Sequence, residues 1–199
     1  MLYVVTLAEM KAELGIPTDD VQDDAALTLA LEGWQSRLDV ELNRTLLSGT
    51  VTEIHDGGTQ AIYVDRWPIQ AVSEIRYAPD RDWTAVAPMS IKDFFPRISE
   101  IGRGRIEYRD GASRWPGNAQ CVRVIYTGGY IPCDGTPGAG EERIPATIRT
   151  ATFMQVGYEW RNRKSLGVTS MSAQGVSVNL APANLLPGVK EMLSDYRRI

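Results

Sequence analysis

The spacing of apolar residues changes twice along this chain, which restricts it to a fold built from both helices and strands. Leu27, Leu31, Trp34, Leu38 and Leu42 recur at intervals of four, three, four and four, the repeat that puts side chains on one face of an α-helix. From Thr50 the interval falls to two, the repeat of a strand with one buried face. Val51 to Asp56 and Gln60 to Val64 flank Gly57-Gly58 and read as a hairpin. Trp67-Pro68 breaks the pattern, and Val72 to Tyr77 supplies a third strand. Arg105 to Tyr108 and Cys121 to Tyr126 return to strand, with Val122, Val124 and Tyr126 on one face and Arg123 opposite. After Ile144-Pro145 the pattern is helical again, but Ala146, Ile148, Ala151, Phe153, Met154, Val156, Tyr158 and Trp160 surround the axis. Such a helix is expected to be buried on most sides.

The ends of these elements carry their own chemistry. Thr6 and Glu9 form a capping box, and Gly15 with Pro17 beyond it stops the first helix. A second helix is expected to open at Thr18 to Asp20, where Asp19, Asp20, Asp23 and Asp24 suit the positive end of its dipole. It runs to about Asn43, roughly 36 Å at 1.5 Å per residue. In the third helix Gly157 suggests close approach of another backbone. Arg161, Arg163 and Lys164 sit where the dipole favours cations. Pro79 to Gly104 reads as a surface excursion with one helical turn. Ser165 to Ala183 reads as a flexible loop, in which the alternating Val176 to Leu180 offers a strand for a neighbour's sheet edge. Pro187 starts a short final helix. The expected architecture is α+β, a small helical bundle of residues 6–14, 20–43 and 145–163 with a β-rich insertion between the second and third long helices. Residues 1–49, 50–130 and 131–199 are its parts within one composite domain.

Composition narrows the function classes. The 199 residues suffice for one sizeable core. No apolar run approaches the roughly 20 residues of a membrane helix, and the N-terminus lacks the pattern of a signal peptide, so a soluble protein made in the cytoplasm is expected. Cys121 and Cys133 make no disulfide framework and read as unpaired thiols. His55 is the only histidine, and the familiar nucleophile, dithiol and zinc-protease signatures are missing. Asp19, Asp20, Asp23 and Asp24 lack the glycine and final glutamate of a calcium loop. Gly102-Arg103-Gly104-Arg105 and Thr127-Gly128-Gly129 open no helix after a strand and read as turns, not phosphate cradles. No enzyme, metal or cofactor is expected. A sequence pI near 5.1 disfavours tight duplex binding. The net charge of −4 conceals an asymmetry: residues 1–60 hold three basic and eleven acidic groups, and residues 143–199 eight basic and three acidic. In a monomer these are solvated faces; in a ring they would register neighbouring subunits.

Five strings occur in one order along the chain: Thr6 to Leu14; Asp19-Asp20; Val122-Arg123-Val124-Ile125-Tyr126-Thr127-Gly128-Gly129-Tyr130; Ile144-Pro145-Ala146-Thr147-Ile148-Arg149; and Leu186-Pro187 through Arg198. Together they resemble the head-to-tail connector (head completion adaptor) family of long-tailed bacteriophages, while Pro79 to Pro116 matches poorly. The resemblance implies a structural virion protein at the head-to-tail interface. Its subunits would form a ring, twelvefold in the virion, docked beneath the portal protein. That ring would extend the DNA channel and carry the tail or a stopper. It also implies that the C-terminal segment docks on the portal through Leu185, Leu186, Val189, Met192, Leu193, Tyr196, Arg197 and Arg198, and that deleting Pro187 to Ile199 abolishes docking while leaving the fold. Charge alone motivates Asp19, Asp20, Asp23 and Asp24 as channel-lining residues that let DNA slide without being held. The rival readings are a tail-side completion or stopper protein, a nucleic-acid-binding accessory protein, and an enzyme of unfamiliar mechanism.

Overall fold

Thr6 and Glu9 close the expected capping box: Thr6 Oγ1 accepts from the Glu9 amide at 3.1 Å, and the Glu9 carboxylate accepts from the Thr6 amide at 2.9 Å. In the computed structural model, which describes residues 4–97, 104–108, 114–163, 170–173, 176–179 and 185–198, this opens α1 (Leu7–Leu14), and Gly15 ends it at φ 70°. The second helix corrects the sequence expectation. α2 spans Asp24–Leu42, starts several residues late, and receives no side-chain cap bond from Asp23. The cause is Lys11, 3% exposed. Its Nζ donates to the carbonyls of Thr18 at 3.1 Å and Asp20 at 2.7 Å and to Asp24 Oδ1 at 2.8 Å. Those carbonyls wrap a buried ammonium instead of a helix axis, and the four aspartates do not cap.

Leu27, Leu31, Trp34, Leu38 and Leu42 are all buried, as their spacing predicts. They pack with Met10, Leu46, Val189 and residues of α3 (Ala146–Arg161) into a helical core. Trp34 Nε1 donates to Thr152 Oγ1 at 2.9 Å inside it. Pro145 stands at the N-cap of α3, one residue outside the first turn. α3 is less enclosed than its composition suggests: Ile148, Ala151, Val156 and Trp160 are buried, but Met154 is 41% exposed. Gly157 faces no foreign backbone. A methyl group there would meet Met10 Cε at 3.7 Å and Leu14 Cδ2 at 4.0 Å, ordinary contact distances. Gly157→Ala is therefore expected to stabilise the protein by about 1 kcal/mol, by removing the glycine's backbone entropy cost within a helix. A urea midpoint that falls instead of rising would refute this.

The strands are β1 (Gly49–His55), β2 (Ala61–Val64), β3 (Ile69–Tyr77), β4 (Phe94–Arg97), β5 (Gly104–Tyr108) and β6 (Val122–Gly128). They form two antiparallel three-stranded sheets, ordered β1-β6-β3 and β2-β5-β4. The hairpin expected across Gly57-Gly58 does not exist, because β1 pairs with β6 and β2 with β5. The amides of Gly57 and Gly58 donate instead to Asn118 and Trp115 carbonyls, each at 2.8 Å. A Cβ on Gly57 would lie 1.7 Å from the Pro116 carbonyl oxygen, so this glycine serves close approach and a crossing between sheets. β4, preceded by a single 3-10 turn at Ile91–Asp93, is an edge strand, the one place in a sheet that tolerates its Pro96.

The inward rows of both sheets, among them Ile62, Val64, Ile75, Ile106, Val122, Val124 and Tyr126, close a second core with Trp115. The Val122, Val124, Tyr126 face is buried as expected. β7 (Ser170–Ala173) and β8 (Val176–Asn179) pair antiparallel with each other, so the alternating segment finds its partner within the chain. α4 (Pro187–Leu193) and a 3-10 turn at Ser194–Tyr196 complete the fold. Lys164, Gly102, Arg103 and Ile199, and the expected loop Ser165 to Ala183 apart from β7 and β8, lie outside the described residues.

Candidate functional site

The C-terminal segment is built onto its own subunit. Val189 and Leu193 are 0% and 2% exposed within the helical core. Leu185, Leu186, Met192 and Tyr196 pack against that core while half-buried, and Arg197 is exposed. A side chain that the sequence reading passed over holds the segment in place. Gln155 is fully buried on α3; its Oε1 accepts from the Leu186 amide at 2.9 Å and its Nε2 donates to Glu159 at 2.7 Å. Helical spacing gives a signal for it, since position 155 shares a face with Ile148, Ala151 and Thr152. The segment ends on the Arg198 amide donating to the Leu42 carbonyl at 2.9 Å and the Arg198 guanidinium on Asp65 at 2.5 Å. Deleting Pro187 to Ile199 would thus remove two core side chains and cannot leave the fold untouched; the burial terms alone are worth about 3–6 kcal/mol.

The four aspartates part company in three dimensions. Asp19 and Asp20 are exposed, and Asp20 accepts from the Gln22 amide at 3.2 Å. Asp24 is paired with Lys11, and Asp23 with Arg163 at 3.2 Å. Further pairs, Glu9 with Arg149 and Arg37 with Glu159, each at 2.5 Å, join the acidic end of the sequence to the basic end. Two acids of residues 1–60, Glu9 and Asp23, are thus balanced by arginines of residues 143–199 within one subunit, whereas Arg37 with Glu159 pairs in the opposite sense.

Arg44 stands between the helical and β cores. It is 5% exposed, its guanidinium carbon lies 3.0 Å from the Trp67 ring centroid and 5.5 Å from that of Tyr130, and Nη1 donates to the Trp67 carbonyl at 2.9 Å. Burial lowers its pKa to about 10, which keeps it charged at neutral pH. An open pocket of about 460 Å3 lies beside it, where Asp39 and Asp65 face Arg44 and Arg198. Two carboxylates against two guanidiniums make a charge-balanced seam.

His55 belongs to a network centred on Glu53. Glu53 Oε2 meets His55 Nε2 at 2.9 Å, Oε1 accepts from the Tyr126 hydroxyl, and the Asp65 amide donates to both oxygens at 3.1 and 3.2 Å. The Tyr126 oxygen in turn accepts from the Arg66 amide at 2.9 Å. Each carboxylate oxygen is doubly engaged, so the cluster clamps β1 and β6 to the turn at Asp65 and presents no acceptor to a substrate. Burial pushes the Glu53 pKa up, but hydrogen bonds from His55, Tyr126 and Asp65 outweigh it and hold the carboxyl below its ordinary 4.5. With the folded pKa depressed, the unfolded chain binds the proton first as pH falls. The stability from this clamp is complete above about pH 4.5 and is lost as pH drops through the folded value. Glu53→Gln is expected to cost about 2 kcal/mol at pH 7. Denaturation midpoints of the two proteins should converge in acid; a gap that is independent of pH would contradict the clamp.

Among the described residues no three His, Cys, Asp or Glu side chains converge to hold a metal ion, and no helix is long and apolar enough to cross a membrane. No protein-family model and no curated protein matches the chain. Solved structures do share its fold. A chain from the neck of an empty gene transfer agent (GTA) particle computed with C6 symmetry superposes with a TM-score of 0.62 at 16% identity, over 98% of this chain and 90% of that one. A chain of the native GTA virion gives 0.61 at 15% identity over the same shares. One from the native GTA neck computed with C12 symmetry gives 0.59 at 16% identity, over 100% of this chain and 96% of that one.

Proposed function

We propose that this chain is a subunit of a head-to-tail connector ring in a phage-like particle, docked beneath the portal, where it extends the DNA channel and seats the tail. The observation that carries this reading is the fold, shared over nearly its whole length with chains of gene transfer agent necks whose symmetry is sixfold or twelvefold. The saturated Glu53 network supports a scaffold role over a catalytic one. Function here is geometry and charge. Asp19 and Asp20, exposed on the turn before α2, face the channel and repel phosphates, so DNA passes without being gripped. Asp23 and Asp24 contribute less field, since Arg163 and Lys11 balance them.

Portal docking uses the outer side of the C-terminal segment. Val189 and Leu193 anchor α4 in the core, leaving Leu185, Leu186, Met192, Tyr196, Arg197 and Arg198 as the rim that meets the portal. Aromatic and arginine side chains on such a rim suit an interface. The test mixes the chain with the portal protein of the same genome and measures molar mass by light scattering. Wild type is expected to co-elute with the portal, and Arg197→Glu, at an exposed position, is expected to lose co-elution while keeping its thermal midpoint within a few degrees. Unchanged co-elution of that variant removes the docking assignment; a wild type indifferent to the portal removes the connector reading.

A further inference from the structure

α2 has two apolar faces, and the subunit covers only one of them. Opposite the buried stripe, Ala26, Leu29, Gly33, Ser36 and Val40 follow one another at intervals of three, four, three and four, and all are exposed. Leu29 is 68% and Val40 79% open to solvent. The stripe is about 21 Å long at 1.5 Å per residue and contains no charge. A helix apolar on both sides is one that is buried on both sides. A second face lies on the outer side of the β1-β6-β3 sheet, where Thr50 stands beside Thr127, Thr52 beside Ile125, and Ile54, 48% exposed, beside Arg123.

We infer that these two faces meet, the α2 stripe of one subunit packing on the β1–β6 face of the next copy around the ring. This rests on the connector reading above. A closed head-to-tail ring requires two different patches per subunit, each used once, and this chain presents two of different shape. Their surroundings are opposite in sign. Flanking the stripe, α2 carries Glu32 and Glu41, with Arg37 already held by Glu159, while the sheet's outer face carries Arg76 and Arg123 against the single Glu74 that both contact, at 2.8 and 2.9 Å. Shape agrees as well. Rows of Thr and Ile make a flat β-branched surface, and Gly33, where a built Cβ meets nothing within 4 Å beyond the adjoining helix backbone, lets it approach the helix closely.

The oligomer formed by wild type, alone or on the portal, is the reference for the test. Leu29→Asp with Val40→Asp, and separately Thr52→Asp with Ile54→Asp, should each lower the self-association constant by about 100-fold or more, because each buries unpaired charge at the contact. All four positions are at the surface, so the monomer should keep its circular dichroism and melting temperature. In a Cys133→Ser background, Val40→Cys mixed with Thr52→Cys should be joined by a short bismaleimide, while neither variant joins to itself. A Val40→Cys homodimer would replace the ring contact with a twofold helix–helix contact and overturn the inference. A wild-type ring whose mass survives both pairs of aspartates would overturn the choice of faces and leave the connector reading standing. A wild type that stays monomeric alone and on the portal would overturn both.

Discussion

Gly129→Ala is expected to destabilise the protein by about 3–5 kcal/mol, enough to leave a marginal domain largely unfolded. Gly129 has φ +100°, a conformation that costs an L side chain about 1–3 kcal/mol. Its Cβ would also lie 2.6 Å from the Leu47 carbonyl oxygen and 2.9 Å from that of Leu46, and backbone cannot move aside as a flexible side chain does. The contact cannot open cheaply, because the amides of Gly129 and Tyr130 donate to Pro68 and Leu46 at 2.9 Å each and Ser48 donates to Tyr130 at 2.8 Å. This is where β6 leaves the β core and the chain enters the helical one. Gly58→Ala is the control. Gly58 also has positive φ, +81°, but its nearest foreign atom is Gly117 Cα at 3.7 Å, so it should show the conformational cost alone. Equal urea midpoints for the two variants would mean that the backbone contact at Gly129 contributes nothing.

Arg44→Ala should cost about 3–5 kcal/mol, by opening a cavity between the cores and abandoning the Trp67 carbonyl. Arg44→Lys should recover little of this, since an ammonium neither stacks flat on Trp67 nor reproduces the guanidinium's planar donor geometry. Arg44→Met separates volume from charge. A buried cation replaced by an apolar side chain of similar length should retain most of the stability. If lysine proves as good as arginine in thermal denaturation, the stacking account of this joint is wrong. Because Arg198 and Asp65 border the same seam, Arg44→Ala should also loosen the end of the docking segment, read as faster amide exchange at Arg198.

Proximity along the chain decided which features were readable. The capping box at Thr6, the Gly15 stop, the α2 stripe and the β6 alternation all depend on residues within about four positions of one another, and each is found where the pattern places it. The start of α2 departs from the local signal because Lys11, 13 residues before Asp24, draws the carbonyls of Thr18 and Asp20 to itself. Of the candidate docking residues, spacing identified an apolar set but gave no means of separating Val189 and Leu193, which α3 covers, from their half-buried neighbours. For the aspartates, composition gave the charge but not the pairing of Asp23 with Arg163, 140 residues away.

By itself, then, the sequence determined the helices, the caps of α1, the buried stripe and the presence of strands, because helix hydrogen bonds and strand alternation are local. Only the tertiary structure decided strand pairing, the division into two cores and the Arg44 joint. A strand's alternation is satisfied by any partner offering a complementary face. The choice of β6 for β1 is settled by contacts such as Glu53 with Tyr126, 73 residues apart, that no local pattern contains.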